Sequence, residues 1–256
     1  MTVAEQQRAR RSDAGVIRQT PRDAQLLQWM SQMYGMPLDL IQRALGVSQV
    51  RVYQLVRRWE RAGWVSRGRP DAGPAWVWPR RGVVQEYLGW DASWTPRPTT
   101  TAHTRAVAAL RLHRMGLDLG RWVSERQLRH DYQGWRTRGQ IEPHMPDGVE
   151  VLLDGTRALI EVELTPKTAT RYLAAERQTY QELDGLLLQV ENRAVDLGCS
   201  VVAYWCSPAA LPVVNQQVRE YQRRSQMKRR PSGSVTWVVR SLEEVPGWRL
   251  PSDGDR

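Results

Sequence analysis

The 256-residue chain contains no phenylalanine and only two cysteines, and lysine supplies just two of its 37 basic residues, Lys167 and Lys228. Cys199 and Cys206 fit neither a disulfide framework nor a zinc spacing, so both are expected as reduced, buried thiols. The apolar runs are short, as in Leu186-Leu187-Leu188, which excludes a membrane span. The polar start, MTVAEQQRARRSDAG, lacks the apolar stretch of an export signal, so the expected compartment is the cytoplasm. A glycine-rich phosphate loop of the form G-x-x-x-x-G-K-[ST] is also missing, which argues against an ATP-driven motor. His103, His113, His130 and His144 share no H-x₃-H or H-E-x-x-H spacing. His144, three residues before Asp147, is within reach of any site there, but reads first as a loop histidine hydrogen-bonded locally.

What is present describes a folded chain. Hydrophobic residues make up 41% and charged residues 25% of the sequence, enough for a core and ordinary for a globular protein. The net charge of +10 is unevenly spread: residues 1–97 hold 15 basic and 8 acidic groups, against 22 and 19 in residues 98–256. Arginine in place of lysine, together with the missing phenylalanine, points to a GC-rich genome. That bias weakens the inference that each arginine was selected for phosphate.

Residues 1–19 lack apolar periodicity and read as a flexible basic tail. Thr20-Pro21-Arg22-Asp23 is a helix start, with a capping hydroxyl, a proline in the first turn and an acid that complements the helix dipole. Leu26, Leu27, Met30 and Met33 continue it at helical spacing. A second short helix is expected over Pro37–Leu45. Gly46-Val47 ends it, and Ser48 caps a third helix with Val52, Leu55, Val56, Trp59 and Ala62 on one stripe. Trp64–Ser66 and Ala75–Trp78 read as a strand pair around an Arg67–Pro74 loop, and Gly82–Leu88 as a closing helix. Helix, tight turn, helix and hairpin make a winged helix-turn-helix over residues 20–90. On that reading Gln49, Tyr53, Gln54, Arg57 and Arg61 form the outer face of the recognition helix, with Gln49, Tyr53, Gln54 and Arg57 reaching base edges. Arg67 and Arg69 in the wing contact phosphates of double-stranded DNA. Asp91–Pro98, with two prolines, reads as a linker.

A second domain is expected over residues 99–250, an α/β unit that makes the whole chain α+β. It opens with a helix over Thr99–Met115. Trp122-Val123 precede a capping-box start at Ser124-Glu125-Arg126-Gln127, and Arg136–Glu142 is a polar loop. Val149–Leu153 and Ala158–Leu164 form a hairpin at Asp154-Gly155. A long helix over Thr168–Arg193, with Gly185 as a weak point, leads to a strand at Ser200–Trp205. A helix over Ala209–Arg223 and a last strand at Ser234–Arg240 complete a mixed sheet covered by helices.

The chemistry concentrates in His144–Gly148 and Glu161–Lys167. Strand alternation puts Leu159, Glu161 and Glu163 on one face and Ile160, Val162 and Leu164 on the other, which belongs against a helix. Neighbouring carboxylates repel, and a divalent cation relieves the repulsion; oxygen ligands suit Mg²⁺ or Mn²⁺. A solvated acidic face is the plain alternative. Hairpin geometry separates the two. A two-residue Asp154-Gly155 loop turns Asp147 to the apolar face, whereas a three-residue loop with Gly155 left-handed pairs Leu152 with Thr156 and sets Asp147 opposite Glu161, beside Glu163. The expected arrangement is the bulged hairpin, with Asp147, Glu161 and Glu163 as ligands of one cation.

Pro146-Asp147 followed, after thirteen residues, by Glu161-x-Glu163 resembles the PD-(D/E)XK nuclease pattern. The resemblance implies a restriction-endonuclease-like fold in which the acids hold a metal that activates water against a phosphodiester. Its lysine position is Glu163 here, as in some restriction enzymes, and Lys167 stands nearby. The wider arrangement is similar to the replication-relaxation family of plasmids and integrative elements in Gram-positive bacteria. It comprises the winged helix, the His103 helix, Trp122–Arg126, Pro146–Gly148, Glu161–Thr165 and a helix containing Tyr180. That resemblance implies a role in replication or in DNA relaxation during transfer, with replication or transfer proteins, or a second copy of the chain, as partners. By the family pattern Glu125 is an acid at the start of the first core helix, and Gln178 or Gln181 follows the acidic strand. Three functions therefore compete: a DNA-binding protein of a mobile element with a nuclease-like second domain, an active metal-dependent endonuclease, and a transcription regulator with a non-catalytic second domain. The acidic constellation disfavours the third, since a small-molecule sensor shows a mainly apolar pocket.

Overall fold

A computed structural model of the chain describes residues 17–135, 143–167, 185–227 and 235–249. Its start follows the sequence closely. The Thr20 hydroxyl accepts from the Asp23 N–H at 3.2 Å, and the Asp23 carboxylate accepts from the Thr20 N–H at 2.9 Å, closing a capping box on α1 (Pro21–Gln32). Asp23 does more than complement a dipole. Fully buried, it also accepts from Trp59 Nε1 at 2.9 Å and pairs with Arg58, which fastens α1 to the helix that carries both residues.

Three residues past α1, Gly35 lets the chain pass so close to a later strand that an added Cβ would lie 2.8 Å from the Val77 carbonyl. That approach permits β1 (Met36–Pro37), a strand the sequence reading did not include, to pair with the later hairpin. Helix α2 (Leu38–Leu45) ends at Gly46, left-handed with φ of 62°, and the Ser48 hydroxyl caps α3 (Gln49–Arg61). Val52, Leu55, Val56 and Trp59 are buried along α3 as the stripe requires. Strands β2 (Val65–Gly68) and β3 (Trp76–Pro79) complete an antiparallel sheet in the order β1-β3-β2, followed by α4 (Arg81–Leu88). Pairing runs further than expected, since Arg67 and Gly68 find partners in Val77 and Trp76. Arg67 therefore stands on a strand, not in the loop.

Helix α5 (Pro98–Met115) is the hub of the molecule. Ala106 to Leu110 are buried, and the core they join includes Leu26, Leu40 and Trp59 from the N-terminal part as well as Ile160, Val162 and Trp205 from the second sheet. Polar bonds follow the same route: Arg105 pairs with Asp39 of α2, and the Arg111 guanidinium lies 4.8 Å from the Trp29 ring centre. The segment expected as a linker is held too, with Trp94 packed on Tyr34 and Trp76 and the Ala92 carbonyl accepting from Arg126 at 2.8 Å.

Next come β4 (Trp122–Ser124), α6 (Glu125–Trp135), β5 (Gly148–Val151), β6 (Arg157–Glu163), α7 (Leu186–Asp196), β7 (Val201–Cys206), α8 (Leu211–Met227) and β8 (Thr236–Ser241). The sheet is mixed, in the order β4-β5-β6-β7-β8: β4, β5 and β6 are antiparallel, and β6, β7 and β8 are parallel. The chain is thus α+β, with eight α-helices among the described residues. Helix α5 covers the Ile160 and Val162 face, as the alternation required, while α7 and α8 cover the face of Leu159 and Tyr204. The acidic strand therefore has no solvated face; Glu163 is buried. Gly185, expected as a weak point inside one long helix, is the N-cap of α7. The Arg136–Glu142 loop, residues 168–184 with Gln178, Tyr180 and Gln181, and the basic residues Lys228, Arg229 and Arg230 lie outside the described residues. No helix among the described residues is long and apolar enough to cross a membrane.

Candidate functional site

The hairpin adopts the bulged form. Leu152 N–H donates to the Thr156 carbonyl at 2.8 Å, Gly155 is left-handed with φ of 83°, and Val151, Glu150, Val149 and Gly148 face Arg157, Ala158, Leu159 and Ile160. One step further the ladder bulges again. The Asp147 N–H also donates to the Ile160 carbonyl, at 3.1 Å, so Asp147 leaves the regular alternation that would face it to Glu161. Its carboxylate takes over a ladder position, with Oδ2 accepting from the Val162 N–H at 2.7 Å. Oδ1 lies 2.7 Å from His103 Nε2 of α5.

The other acids also have named partners. Glu161 Oε1 is 2.6 Å from His144 Nε2, and Glu163 pairs with Lys167. These pairings follow from burial, because a covered carboxylate needs a hydrogen-bonded counter-charge. Asp147 and Glu161 are only 14% and 13% exposed. Among the described residues no three carboxylate, imidazole or thiolate groups close on one point, so Asp147, Glu161 and Glu163 are spread over three partners instead of gathered on a shared one. The oxygen donors of Asp147 and Glu161 suit a hard cation such as Mg²⁺ or Mn²⁺, whose remaining ligands are commonly water and substrate phosphate.

Electrostatics couple the two histidine pairs. Burial disfavours a charged His103, but the Asp147 carboxylate and its hydrogen bond outweigh it and raise the imidazole pKa, with Glu125 and Glu161 adding to the effect. At His144 burial is again outweighed, here by the hydrogen bond and charge of Glu161, and Asp147 contributes. Burial lifts Glu161 above the ordinary carboxylate range despite the pull of His144. The result is two imidazole–carboxylate pairs side by side, able to hold or pass protons at the end of β6.

Glu125, the first residue of α6, completes one wall. It pairs with Arg129 at 2.8 Å and accepts from the Tyr34 hydroxyl at 3.5 Å. Tyr34, Glu125, His103 and Asp147 border a cavity of about 30 Å³, room for a water or two. Burial and the Glu125 charge push the Tyr34 phenol up to about 12. Tyr34 is also the one non-glycine residue with a positive φ, 71°, among the described residues. Sequence reasoning gave His103 and Tyr34 no role in the site, and placed His144 within reach of it only as the alternative to a local hydrogen bond. For His103 a signal existed: it stands four and seven residues before the buried Val107 and Leu110, on the same side of α5.

The expected nucleic-acid residues occupy the outer side of α3. Gln49, Gln54, Arg57 and Arg61 are exposed, as is Arg69 beyond β2, and Val50 is 67% exposed at the start of the helix. Arg57, Arg61 and Arg69 have no ion-pair partner among the described residues. Tyr53 differs, being half-buried against the core beneath Arg67, whose guanidinium is 6.0 Å from its ring centre. Arg67 itself pairs with Glu60 at 3.2 Å. No family model, curated protein or solved structure matches the chain.

Proposed function

We propose that this chain binds double-stranded DNA through a winged helix-turn-helix built from α1 to α3 and the β2–β3 hairpin, and that its second domain is nuclease-like. The observation that carries this reading is the two-sided α3. One side is fully committed to the core through Val52, Val56 and Trp59, while the other presents Gln49, Val50, Gln54, Arg57 and Arg61 to solvent. Such a face offers amide and guanidinium groups to base edges, and an apolar contact for a thymine methyl. A role in replication or transfer of a plasmid or integrative element rests on the resemblance to the replication-relaxation family.

A second reading, metal-dependent strand cleavage, is favoured by one specific observation: Asp147 and Glu161 are nearly buried at adjoining strand ends with His103 and His144 against them. Strand order supports it as well, since an antiparallel hairpin bearing the acids is followed by a parallel β7. Mg²⁺ or Mn²⁺ would be held by Asp147 and Glu161, supplying a Lewis acid for phosphodiester hydrolysis. Lys167 and Glu163 would position groups from the strand end, and Glu125 would border the reacting cavity.

Incubating the purified chain with supercoiled plasmid carrying its own element's origin, with and without Mg²⁺ or Mn²⁺, tests both readings. Retarded plasmid without nicking supports binding alone. Nicking that requires the cation and is lost in Asp147→Asn supports the second reading, and unretarded, intact plasmid at low salt contradicts both.

A further inference from the structure

After β8 the chain turns back from the second sheet and docks on α2. Leu242 and Val245 are buried in the core shared with the N-terminal part, and Gly247 passes so close that an added Cβ would lie 2.9 Å from Leu40 Cδ2. Between this segment and α2 lies a solvent-open groove of about 790 Å³, which reaches Gly46 and Val47 in the turn just before α3. Its charged lining comprises Arg43, Arg105, Arg249, Asp39 and Glu243. Two of these satisfy each other, because Arg105, 1% exposed, holds the Asp39 carboxylate and donates from Nε to the Arg249 carbonyl at 3.0 Å. Arg43 and Arg249 are exposed and have no carboxylate partner among the described residues. The Arg249 guanidinium sits 5.9 Å from the Trp248 ring centre.

We propose that this groove seats the phosphodiester backbone of the duplex that α3 reads, with Arg43 of α2 and Arg249 of the C-terminal segment each contacting a phosphate. The inference rests on the DNA-binding reading above and adds a second-domain element to the interface. Two features select a nucleic-acid strand over a free anion. The groove is far larger than one phosphate, and it runs up to the turn from which the exposed Gln49 and Val50 begin. Glu243, exposed and carrying the same sign as the backbone, is the group that weakens the contact.

The experiment is fluorescence anisotropy of two duplexes of different sequence against the full chain over a salt series, with Arg43→Ala, Arg249→Ala, their double variant, Arg57→Ala and Glu243→Gln. Each lost phosphate contact lowers the slope of log K against log salt by about one unit, and the double variant by about two, with preference among duplexes unchanged. Glu243→Gln tightens binding, a gain that misfolding does not produce. A double variant with the wild-type slope, while Arg57→Ala still weakens binding, overturns the groove and leaves the α3 reading standing. A wild-type chain that binds no duplex at low salt overturns the α3 reading first. A self-associating wild type whose dimer is lost in the double variant assigns the groove to a second copy and also overturns the proposal.

Discussion

Asp147 has two jobs that substitution separates. One oxygen accepts from the Val162 N–H at 2.7 Å, in place of a ladder carbonyl, and the other faces His103 at 2.7 Å. Asp147→Ala leaves a buried N–H of the central acidic strand with no acceptor, at a cost of about 1–3 kcal/mol. For a chain of this length each kcal/mol lowers Tm by about 2–4 °C, so the alanine variant melts roughly 2–12 °C lower. Asp147→Asn keeps an amide oxygen for Val162 and an NH₂ for the imidazole, so its stability stays within about 1 kcal/mol of wild type. It removes the charge, however, so the His103 pKa falls, because the Asp147 carboxylate is the leading influence that raises it. Thermal melts give the first quantity, and an NMR titration of the four histidines gives the second. Equal stability of the alanine and asparagine variants, or a His103 pKa unmoved in Asp147→Asn, would show that Asp147 does not hold these two roles. The proposed duplex binding through α3 should be unchanged in both variants.

Asp23→Ala should lose about 2–5 kcal/mol in denaturant titrations, since it leaves the buried Trp59 N–H without its acceptor and opens the capping box at Thr20. Burial alone would raise the Asp23 pKa, but hydrogen bonds from Thr20 and Trp59 and the Arg58 charge outweigh it, so the folded value lies below the unfolded one. The charge-dependent part of its contribution is therefore complete above the unfolded carboxylate pKa of about 3.9 and is lost as pH falls through the folded value, where the gap between wild type and variant should narrow. Gly148→Ala puts a Cβ 2.4 Å from the Trp122 ring and should cost about 1–3 kcal/mol in the same titration. Burial pushes the Cys206 thiol up to about 12 and raises Cys199 as well, so neither should react promptly with a disulfide reagent at neutral pH until the chain is unfolded.

Local signals carried far into the fold. Thr20, Ser48 and Gly46 set helix ends because each side chain, or its absence, satisfies backbone groups within a few residues. The α3 stripe was legible because burial on one side of a helix repeats every three to four residues. Gly155 fixed the hairpin register through its left-handed conformation. The missed features are all long-range. Strand β1 exists only because Gly35 allows contact with Val77, forty-two residues on. The bulge at Asp147 depends on His103, forty-four residues earlier, and on Val162 lacking another acceptor. His144 finds Glu161 across seventeen residues, a pairing no spacing rule encodes. The return of residues 242–249 to α2 was equally illegible, because apolar Leu242 and Val245 announce burial without naming the surface that buries them.

The outer face of α3 is proposed to read duplex DNA. Selection of bound duplexes from a randomised pool, run with the full chain and with Gln54→Ala and Arg57→Ala, tests it most directly. Wild type is expected to enrich a defined sequence. Each substitution should relax preference at the positions it contacts by about 1–3 kcal/mol, while thermal stability is retained. No enrichment by wild type, or an enriched sequence unchanged in both variants, would contradict it.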